Sequence, residues 1–429
     1  MKNGALIVIL MALVVFSTFA SGSSEVVAQT DPVQKFEGQT VTLLIHPTLF
    51  NAAGGNNGIK KEFEERTGAK VEVVLAPTPE NVQKGMLDFF SKSGSYDVIN
   101  FGGAELAKEI TQNLLPLDDF IKKHPEYEAD DLLSGMLAVA RIEGKQVGIS
   151  YRSTPQLIYY RKDLFNAAGV QVPKTWDEVY TVGKALTKDV NGDGKTDIYG
   201  FTAAGKAPEE LSQAWLNAFY GYGGILVQED GKSGLNTEAG RKAADLWKRL
   251  YVDGIFPPDY FAWGRDDYIN AMAQGRTAFG VFTGSYYGNF FSASVTRDQI
   301  GYAPAPAGGI NRSNGWFLTI NKYSKNPELA WELIMDMTSK INQVRMATQW
   351  ANGPTRASTY QDPEFRKIWP QADELTVAAN KIVRDPTTKD VNLIHAAITE
   401  EITYIMQGKK TVEAGMTQLG TRVDKILGF

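Results

Sequence analysis

Between residues 38 and 103 the sequence alternates strand-like and helix-like segments, and this alternation constrains the fold more than any other feature. Strands are predicted at 38–46, 71–75 and 96–101, and helices at 59–68 and 86–90. In the first strand Val41, Leu43 and Ile45 occupy alternate positions, and Gly68 is a typical helix stop. Because parallel strands need crossover connections, this order predicts an α/β fold with a parallel sheet covered by helices.

The carboxyl ends of these strands indicate where a ligand would bind. In open α/β sheets, ligands lie beyond the carboxyl ends of the strands, which correspond here to residues 47–51 and 100–103. We therefore predict that Asn51 and Gly103 lie near a ligand. Asp118, further along the chain, is a third candidate contact.

The N-terminus has the features of an export signal. Lys2 precedes an uninterrupted apolar run at 5–16, and small residues follow it. We assign residues 1–28 to the signal peptide and the start of the mature tail, with cleavage after Ala20 favoured over cleavage after Ala28. The alternative is an uncleaved membrane anchor. Without cysteine the protein is not a lipoprotein, and we expect it in the periplasm or outside the cell.

Composition and missing motifs exclude several classes of function. The chain has no cysteine, which excludes disulfides, thiolate nucleophiles and cysteine–metal sites. Its net charge is −5 with no strongly basic segment, which argues against a nucleic acid partner. His46, His124 and His395 lack the spacing of metal ligands, and no nucleophile-elbow motif follows the signal segment. We therefore expect no enzyme activity, no catalytic residues and no organic cofactor.

One segment resembles a calcium-binding loop. Short oxygen-bearing ligands alternate along it, with one backbone carbonyl among them: Asp189, Asn191, Asp193, the Lys195 carbonyl and Asp197. Gly194 suits the sharp turn, but Gly200 stands where such a loop ends in a bidentate glutamate. We predict a structural Ca²⁺ here. The alternative is a turn whose side chains cap their own backbone.

Aromatic residues cluster between positions 256 and 291, where there are eleven of them. Most rings at such spacing belong to a core. Trp263, Arg265 and Tyr286, however, lie among glycines and polar residues, which is typical of sites with flat apolar faces beside hydrogen-bonding groups. A sugar ring requires both features.

Several stretches taken together resemble the carbohydrate-binding extracellular solute-binding proteins of ABC importers, the maltose-binding-protein-like family 1. The most specific is IYYRKDLFNAAGVQVPKTWDEV at 158–179, with Arg161 where asparagine is usual. Residues 272–286 resemble a further segment, with Tyr286 where tryptophan is common. Residues 301–308, 315–320 and 353–356 are similar to later segments of the family.

The resemblance implies a periplasmic-binding-protein-like α/β fold of two lobes joined by a multi-strand hinge. Residues 37–150 with 317–348 would form the first lobe, and residues 151–316 with 349–429 the second. The ligand would lie between the lobes. Family matching points to Tyr286 and Trp316 as stacking platforms and to Arg356 as a donor, while Tyr151 and Gln156 lie near the expected first hinge crossing.

The implied function is capture of a mono- or oligosaccharide by a monomer that delivers it to ABC permease subunits. Two alternatives remain open. The ligand is a uronate or a polyol, with Arg265 and Arg356 as donors that would favour an acid. Otherwise the protein is an exported carbohydrate-active enzyme, which predicts two carboxylates about 5–10 Å apart in a groove.

Overall fold

The computed structural model describes residues 35–388 and 390–429, so the predicted signal segment 1–28 lies outside the described residues. The strands are β1 (Thr40–Ile45), β2 (Lys70–Leu75), β3 (Val98–Gly102), β4 (Arg141–Ile142), β5 (Lys145–Gln146), β6 (Ile149–Arg152), β7 (Gln156–Arg161), β8 (Tyr199–Thr202), β9 (Thr277–Thr283), β10 (Ile300–Pro304), β11 (Asn311–Arg312), β12 (Trp316–Ile320) and β13 (Ile382–Val383).

The helices alternate with these strands and cover both sheets. They are α1 (Pro47–Asn51), α2 (Ile59–Thr67), α3 (Glu80–Ser91), α4 (Lys108–Thr111), α5 (Asp118–Lys123), α6 (Ser134–Val139), α7 (Lys162–Ala168), α8 (Trp176–Leu186), α9 (Glu210–Gly221), α10 (Glu238–Val252), α11 (Arg265–Ala273), α12 (Pro327–Met337), α13 (Lys340–Trp350), α14 (Ala357–Gln361), α15 (Pro363–Ile368), α16 (Ala372–Ala379), α17 (Val391–Met406) and α18 (Val412–Leu427). No helix of residues 35–388 or 390–429 is long and apolar enough to cross a membrane.

The first sheet has the strand order β2-β1-β3-β12-β6. β1 pairs in parallel with both β2 and β3, which confirms the parallel arrangement predicted from the alternation at 38–103. β12 runs antiparallel to its neighbours β3 and β6. α2 ends at Gly68, whose φ of 72° lies in the left-handed region that glycine adopts without strain.

The second sheet has the order β10-β7-β9-β8. β7 is antiparallel to β9 and to β10, whereas β8 and β9 are parallel. α8 starts with a capping box: Thr175 Oγ1 accepts from the Glu178 N–H at 3.2 Å, and the Glu178 carboxylate accepts from the Thr175 N–H at 3.1 Å. The two sheets form the α/β architecture that the resemblance implies.

The two sheets define the lobes, and their strands overlap the predicted lobe borders. β6 runs past the predicted border at 150, and β12 begins one residue before 317, so both strands lie wholly in the first sheet. α16 packs against β7 and β10 of the second sheet. One apolar cluster fills each lobe, and a third contains residues of both, including Phe101 from β3 and Tyr159 from β7. The polypeptide passes between the lobes at 153–155, again at 305–315, and a third time between α13, whose Met346 packs in the first-lobe cluster, and α16.

Candidate ligand-binding site

One edge of the first sheet brings together residues that are distant in sequence. His46 directly follows β1, Gly102 ends β3 and Arg152 ends β6. Trp316 begins β12 and pairs with both Gly102 and Arg152. Because β12 is antiparallel to β3 and β6, its first residue lies beside their carboxyl ends, where ligands of α/β sheets bind.

Trp316 and His46 form the aromatic part of this edge. Their ring centroids are 5.7 Å apart with the planes tilted by 48°, and both side chains are half-buried. Burial, together with the positive charge of Arg152, lowers the pKa of His46. The imidazole is therefore neutral at pH 7, and with the indole it offers an apolar surface.

Arg152 projects from the same edge, and none of the described residues forms an ion pair with it. Its Nε is buried and makes no hydrogen bond within the described ranges. Burial lowers the pKa of the guanidinium, which interacts electrostatically with Tyr286 and Arg265. Both of those residues belong to the chain of the second lobe, so Arg152 lies where the two lobes face each other.

The facing surface of the second lobe is built by α11 and by the turn after β9. Tyr286 lies in the 3₁₀ turn that follows β9 and is half-buried. Arg265 begins α11, and its backbone N–H donates to Glu210 Oε1 at 3.2 Å. Tyr268, one turn further along α11, stacks on Phe282 with centroids 4.9 Å apart. Tyr286 supplies an aromatic face and Arg265 an exposed polar group, while the buried Tyr268 belongs to the apolar cluster beneath them.

Glu105 is a third ionisable group at the edge of the first sheet, after His46 and Arg152. Its carboxylate accepts from the Gly102 N–H at 2.9 Å. Burial raises the pKa of Glu105 to about 7, although the hydrogen bond from Gly102 opposes the shift. Near neutral pH this carboxyl group is therefore available both as a donor and as an acceptor, as recognition of hydroxyl groups requires.

Four predicted contacts lie at these facing edges: Gly103, Arg265, Tyr286 and Trp316. Gly103 is buried so tightly that an added Cβ would lie 2.2 Å from the Asn314 carbonyl oxygen. Glycine at this position allows the backbone at 103 to approach the backbone at Asn314 closely. Asn51 ends α1, close in sequence to His46, and its side chain is exposed. Their contact with a ligand stays a prediction.

Arg356 does not reach the cleft, which corrects its assignment as a ligand donor. The side chain is 1% exposed. Its guanidinium donates to the carbonyls of Thr338 at 2.6 Å, Glu128 at 3.0 Å and Tyr127 at 2.9 Å. Since the protein already uses its donors, Arg356 has a structural role in the interior.

The two other candidates near the hinge, Tyr151 and Gln156, form hydrogen bonds to backbone carbonyls of the protein itself. Tyr151 is fully buried and donates to the Leu49 carbonyl at 2.9 Å. Gln156 Nε2 donates to the Arg312 carbonyl at 2.7 Å. The structure thus assigns Tyr151 to the core and Gln156 to the crossing between the lobes.

Asp118 and Trp263 are likewise corrected. Asp118 Oδ2 accepts from the Gln146 N–H at 3.0 Å, which ties α5 to the β4–β5 hairpin. Trp263 is 4% exposed and packs in an apolar cluster, with the Arg276 guanidinium 5.3 Å from its ring centroid. Neither side chain is placed to meet a ligand between the lobes.

Sequence reasoning missed His46, Glu105 and Arg152. His46 is the first residue after β1, so the strand-end rule that selected Asn51 applies to it more directly. Arg152 adjoins the predicted Tyr151. Successive side chains of a strand point to opposite faces. Choosing Tyr151 instead of Arg152 therefore selected a core residue in place of the neighbouring residue that faces the cleft.

The predicted calcium loop forms a turn with extensive backbone capping. Asp189 Oδ2 accepts from the Gly194 N–H at 2.7 Å, and Asp197 Oδ2 accepts from the Val190 N–H at 2.8 Å. Asn191 and Asp193 each accept the N–H two residues ahead, as in Asx turns. The part of the chain that the structure describes contains no group of three or more histidine, aspartate or glutamate side chains arranged to hold a metal. Ca²⁺ at this loop stays a prediction.

A buried polar network contains serine, histidine and aspartate but lacks the access that catalysis needs. His395 Nδ1 lies 2.7 Å from Ser212 Oγ, and its Nε2 lies 3.1 Å from Asp385 Oδ2. All three residues are at most 3% exposed, and Arg312 forms an ion pair with Asp385. The network holds α9 and α17 against the crossing segment that leads into β12.

Comparison with known proteins gives a consistent picture. The family model for bacterial extracellular solute-binding proteins matches residues 53–344. A protein of Sinorhizobium fredii, described as a probable amino-acid ABC transporter periplasmic-binding protein, is 26% identical over 380 residues, covering 86% of this chain and 85% of the relative. The galactooligosaccharide-binding protein of Bacillus subtilis is 26% identical over 371 residues, covering 76% and 83%.

The fold likewise matches solved structures. An ABC transporter solute-binding protein from Agrobacterium radiobacter K84, solved in complex with ribitol, superposes with a TM-score of 0.74 at 22% identity. The match covers 91% of this chain and 99% of that one.

Proposed function

Because the chain belongs to the family of bacterial extracellular solute-binding proteins, we propose that it binds a carbohydrate or polyol between its lobes for an ABC importer. Both ligand classes occur among its relatives, one of which is a galactooligosaccharide-binding protein, and one similar structure contains ribitol. The name of the Sinorhizobium relative makes amino acids a class to include in any test.

The observation that carries this proposal is the pair of half-buried aromatic residues on facing lobes. Trp316 stands at the edge of the first sheet, paired with Arg152, and Tyr286 on the turn after β9 interacts electrostatically with that arginine. Aromatic faces pack on the C–H surfaces of a sugar, while the Glu105 carboxyl and nearby arginines are placed to bond its hydroxyls. Closure of the lobes would exclude water and complete these bonds.

The proposed partners are the membrane subunits of an ABC permease, which would receive the ligand from the closed form. This assignment places the mature protein in the periplasm or outside the cell, as a monomer exported by the N-terminal segment. Family membership supports the transport role. The signal peptide and the monomeric state rest on the sequence reasoning alone.

We further propose that the ligand is released unchanged. The Ser212, His395 and Asp385 network is sealed from solvent, so no substrate reaches it. Glu105, with its pKa raised to about 7, is the group on which an exported carbohydrate-active enzyme would depend as a general acid. Recovery of the ligand after incubation separates these two functions.

A thermal-shift screen against neutral sugars, oligosaccharides and polyols, followed by calorimetric titration of each hit, tests the proposal. A ligand at 100 times its dissociation constant should stabilise the folded protein by about 2.7 kcal/mol. Chromatography of the recovered ligand should show no cleavage. If no solute raises the melting temperature while a polysaccharide is shortened, the enzyme function replaces the binding function.

A further inference from the structure

Arg152 is a half-buried cation without a counterion in the part of the chain that the structure describes. Its side chain forms no ion pair or side-chain hydrogen bond within residues 35–388 and 390–429, and its Nε is removed from solvent. Guanidinium groups keep their proton under all ordinary conditions. A charge removed from water is costly unless it is paired. An anionic group that binds the Arg152 guanidinium would therefore be stabilised at this site.

The groups around Arg152 do not supply that negative charge. Those that interact with it electrostatically are the imidazole of His46, the phenols of Tyr151 and Tyr286 and the guanidinium of Arg265. Among these described neighbours none is a carboxylate, and Arg265 adds a second positive charge. Glu105 at the same edge has its pKa raised to about 7 and so carries only part of a negative charge near neutral pH, which leaves the two arginines in excess between Trp316 and Tyr286.

We propose that the ligand of this cleft carries a carboxylate, which the Arg152 guanidinium binds, so that the captured carbohydrate is a sugar acid. The inference rests on the proposed function and narrows its ligand class. The sequence suggested Arg356 for such a role, but its guanidinium donates to backbone carbonyls in the interior. Arg152 takes that place.

A single carboxylate fits this site better than a phosphate ester. A guanidinium presents parallel N–H groups that match the two oxygens of a carboxylate. On the opposite lobe Glu210 accepts from the Arg265 N–H, and its negative charge offsets part of that arginine's charge. Glu105, at the same edge as Arg152, is partly ionised near neutral pH, and its charge repels a dianion more strongly than a monoanion.

The decisive experiment compares matched acid and neutral ligands on the unaltered protein. The pairs are D-galacturonate with D-galactose, D-glucuronate with D-glucose and D-gluconate with D-glucitol, together with the disaccharides digalacturonate and galactobiose. Glucose 6-phosphate and L-glutamate are added as other sources of negative charge. We expect at least one acid to bind about 100-fold more tightly than its neutral partner, and 0.5 M salt to weaken that binding.

Three arginine variants connect any preference for the acid to this side chain. Arg152→Gln should lower the affinity for the acid about 100-fold and that for the neutral partner much less, so that the preference for the acid is lost. Arg152→Lys keeps the charge but loses the planar guanidinium. Its affinity for the acid should lie between that of the unaltered protein and that of Arg152→Gln. Arg422→Gln is the matched control, because Arg422 is surface-exposed and bonds Glu400, and it should change neither affinity.

Each other outcome overturns the inference in a distinguishable way. Equal or tighter binding of the neutral partners removes the carboxylate assignment and leaves the proposed function standing. Preference for glucose 6-phosphate replaces the carboxylate by a phosphate. Binding of glutamate without any sugar acid, or no binding by any carbohydrate, overturns the proposed function together with the inference.

Discussion

Removal of the Asp385 carboxylate should be among the most destabilising single changes in this protein. Asp385 is fully buried and accepts hydrogen bonds from Arg312 Nε at 2.9 Å and from Asn314 Nδ2 at 2.9 Å. His395 Nε2 lies 3.1 Å away. In Asp385→Ala the Arg312 guanidinium and His395 Nε2 lose this partner while remaining buried.

The expected cost follows from the charge that remains. Arg312 is 8% exposed, so its guanidinium cannot turn to water when the carboxylate is removed. Breaking a buried pair in this way costs about 3–5 kcal/mol, because an uncompensated charge stays in the interior. That loss is a large fraction of the 5–15 kcal/mol typical of a folded domain.

Urea unfolding at pH 7, followed by tryptophan fluorescence, measures the loss. The exposed ion pair between Lys70 and Glu72 serves as the control, and Glu72→Ala should cost no more than about 1 kcal/mol. The double variant Arg312→Met with Asp385→Leu removes both charges and should be less destabilised than Asp385→Ala alone. A cost below about 1 kcal/mol for Asp385→Ala would refute the reasoning.

The pH dependence gives a second measure of the same interaction. Burial disfavours the Asp385 carboxylate, but Arg312 and His395 outweigh that effect and hold its pKa well below the ordinary value. A depressed folded-state pKa stabilises the protein above the unfolded value of about 3.9, and the contribution is lost as the pH falls below it. Asp385→Ala should therefore flatten the acid limb of the stability curve.

Three further predictions concern the site and the loop. Trp316→Ala should weaken ligand binding about 10- to 100-fold in calorimetric titration, whereas Trp350→Ala, in the same lobe, should not; equal effects would remove Trp316 from the site. The raised pKa of Glu105 means that the folded protein binds an extra proton, so stability should fall by about 2–3 kcal/mol as the pH rises from about 4.5 to 7. Glu105→Gln should abolish that slope in urea titrations, and an unchanged slope would contradict the assignment. Added Ca²⁺ should raise the melting temperature relative to chelator, and Asp189→Asn should remove the difference; identical curves for the unaltered protein would argue against the metal.

Local patterns predicted the first sheet well because its signals lie close together in sequence. The alternation at Val41, Leu43 and Ile45 and the stop at Gly68 specify elements that pair with their sequence neighbours. The second sheet depends on pairings such as Gln156 with Thr283. Periodicity alone cannot identify so distant a partner, and only the family resemblance indicated this half of the fold.

The site was predicted less well because contact with a ligand depends on which way a side chain points. Tyr151 and Arg152 share one strand, yet one is fully buried and the other reaches the cleft. Arg356 belongs to a recognisable segment, but its guanidinium meets the carbonyls of Thr338 and Tyr127. The sequence pattern does not show which carbonyl groups, distant in sequence, will accept hydrogen bonds from a buried guanidinium.

The position of β12 also determines the order in which the chain can fold. β12 lies between β3 and β6, yet roughly 160 residues separate it in sequence from the end of β6. A nascent chain that ends before Trp316 would leave two strand edges open toward each other with nothing to join them. The first lobe is thus begun first and is among the last parts to be completed during synthesis. A chain truncated near residue 300 should be captured by chaperones or aggregate, and it should not yield a folded first lobe.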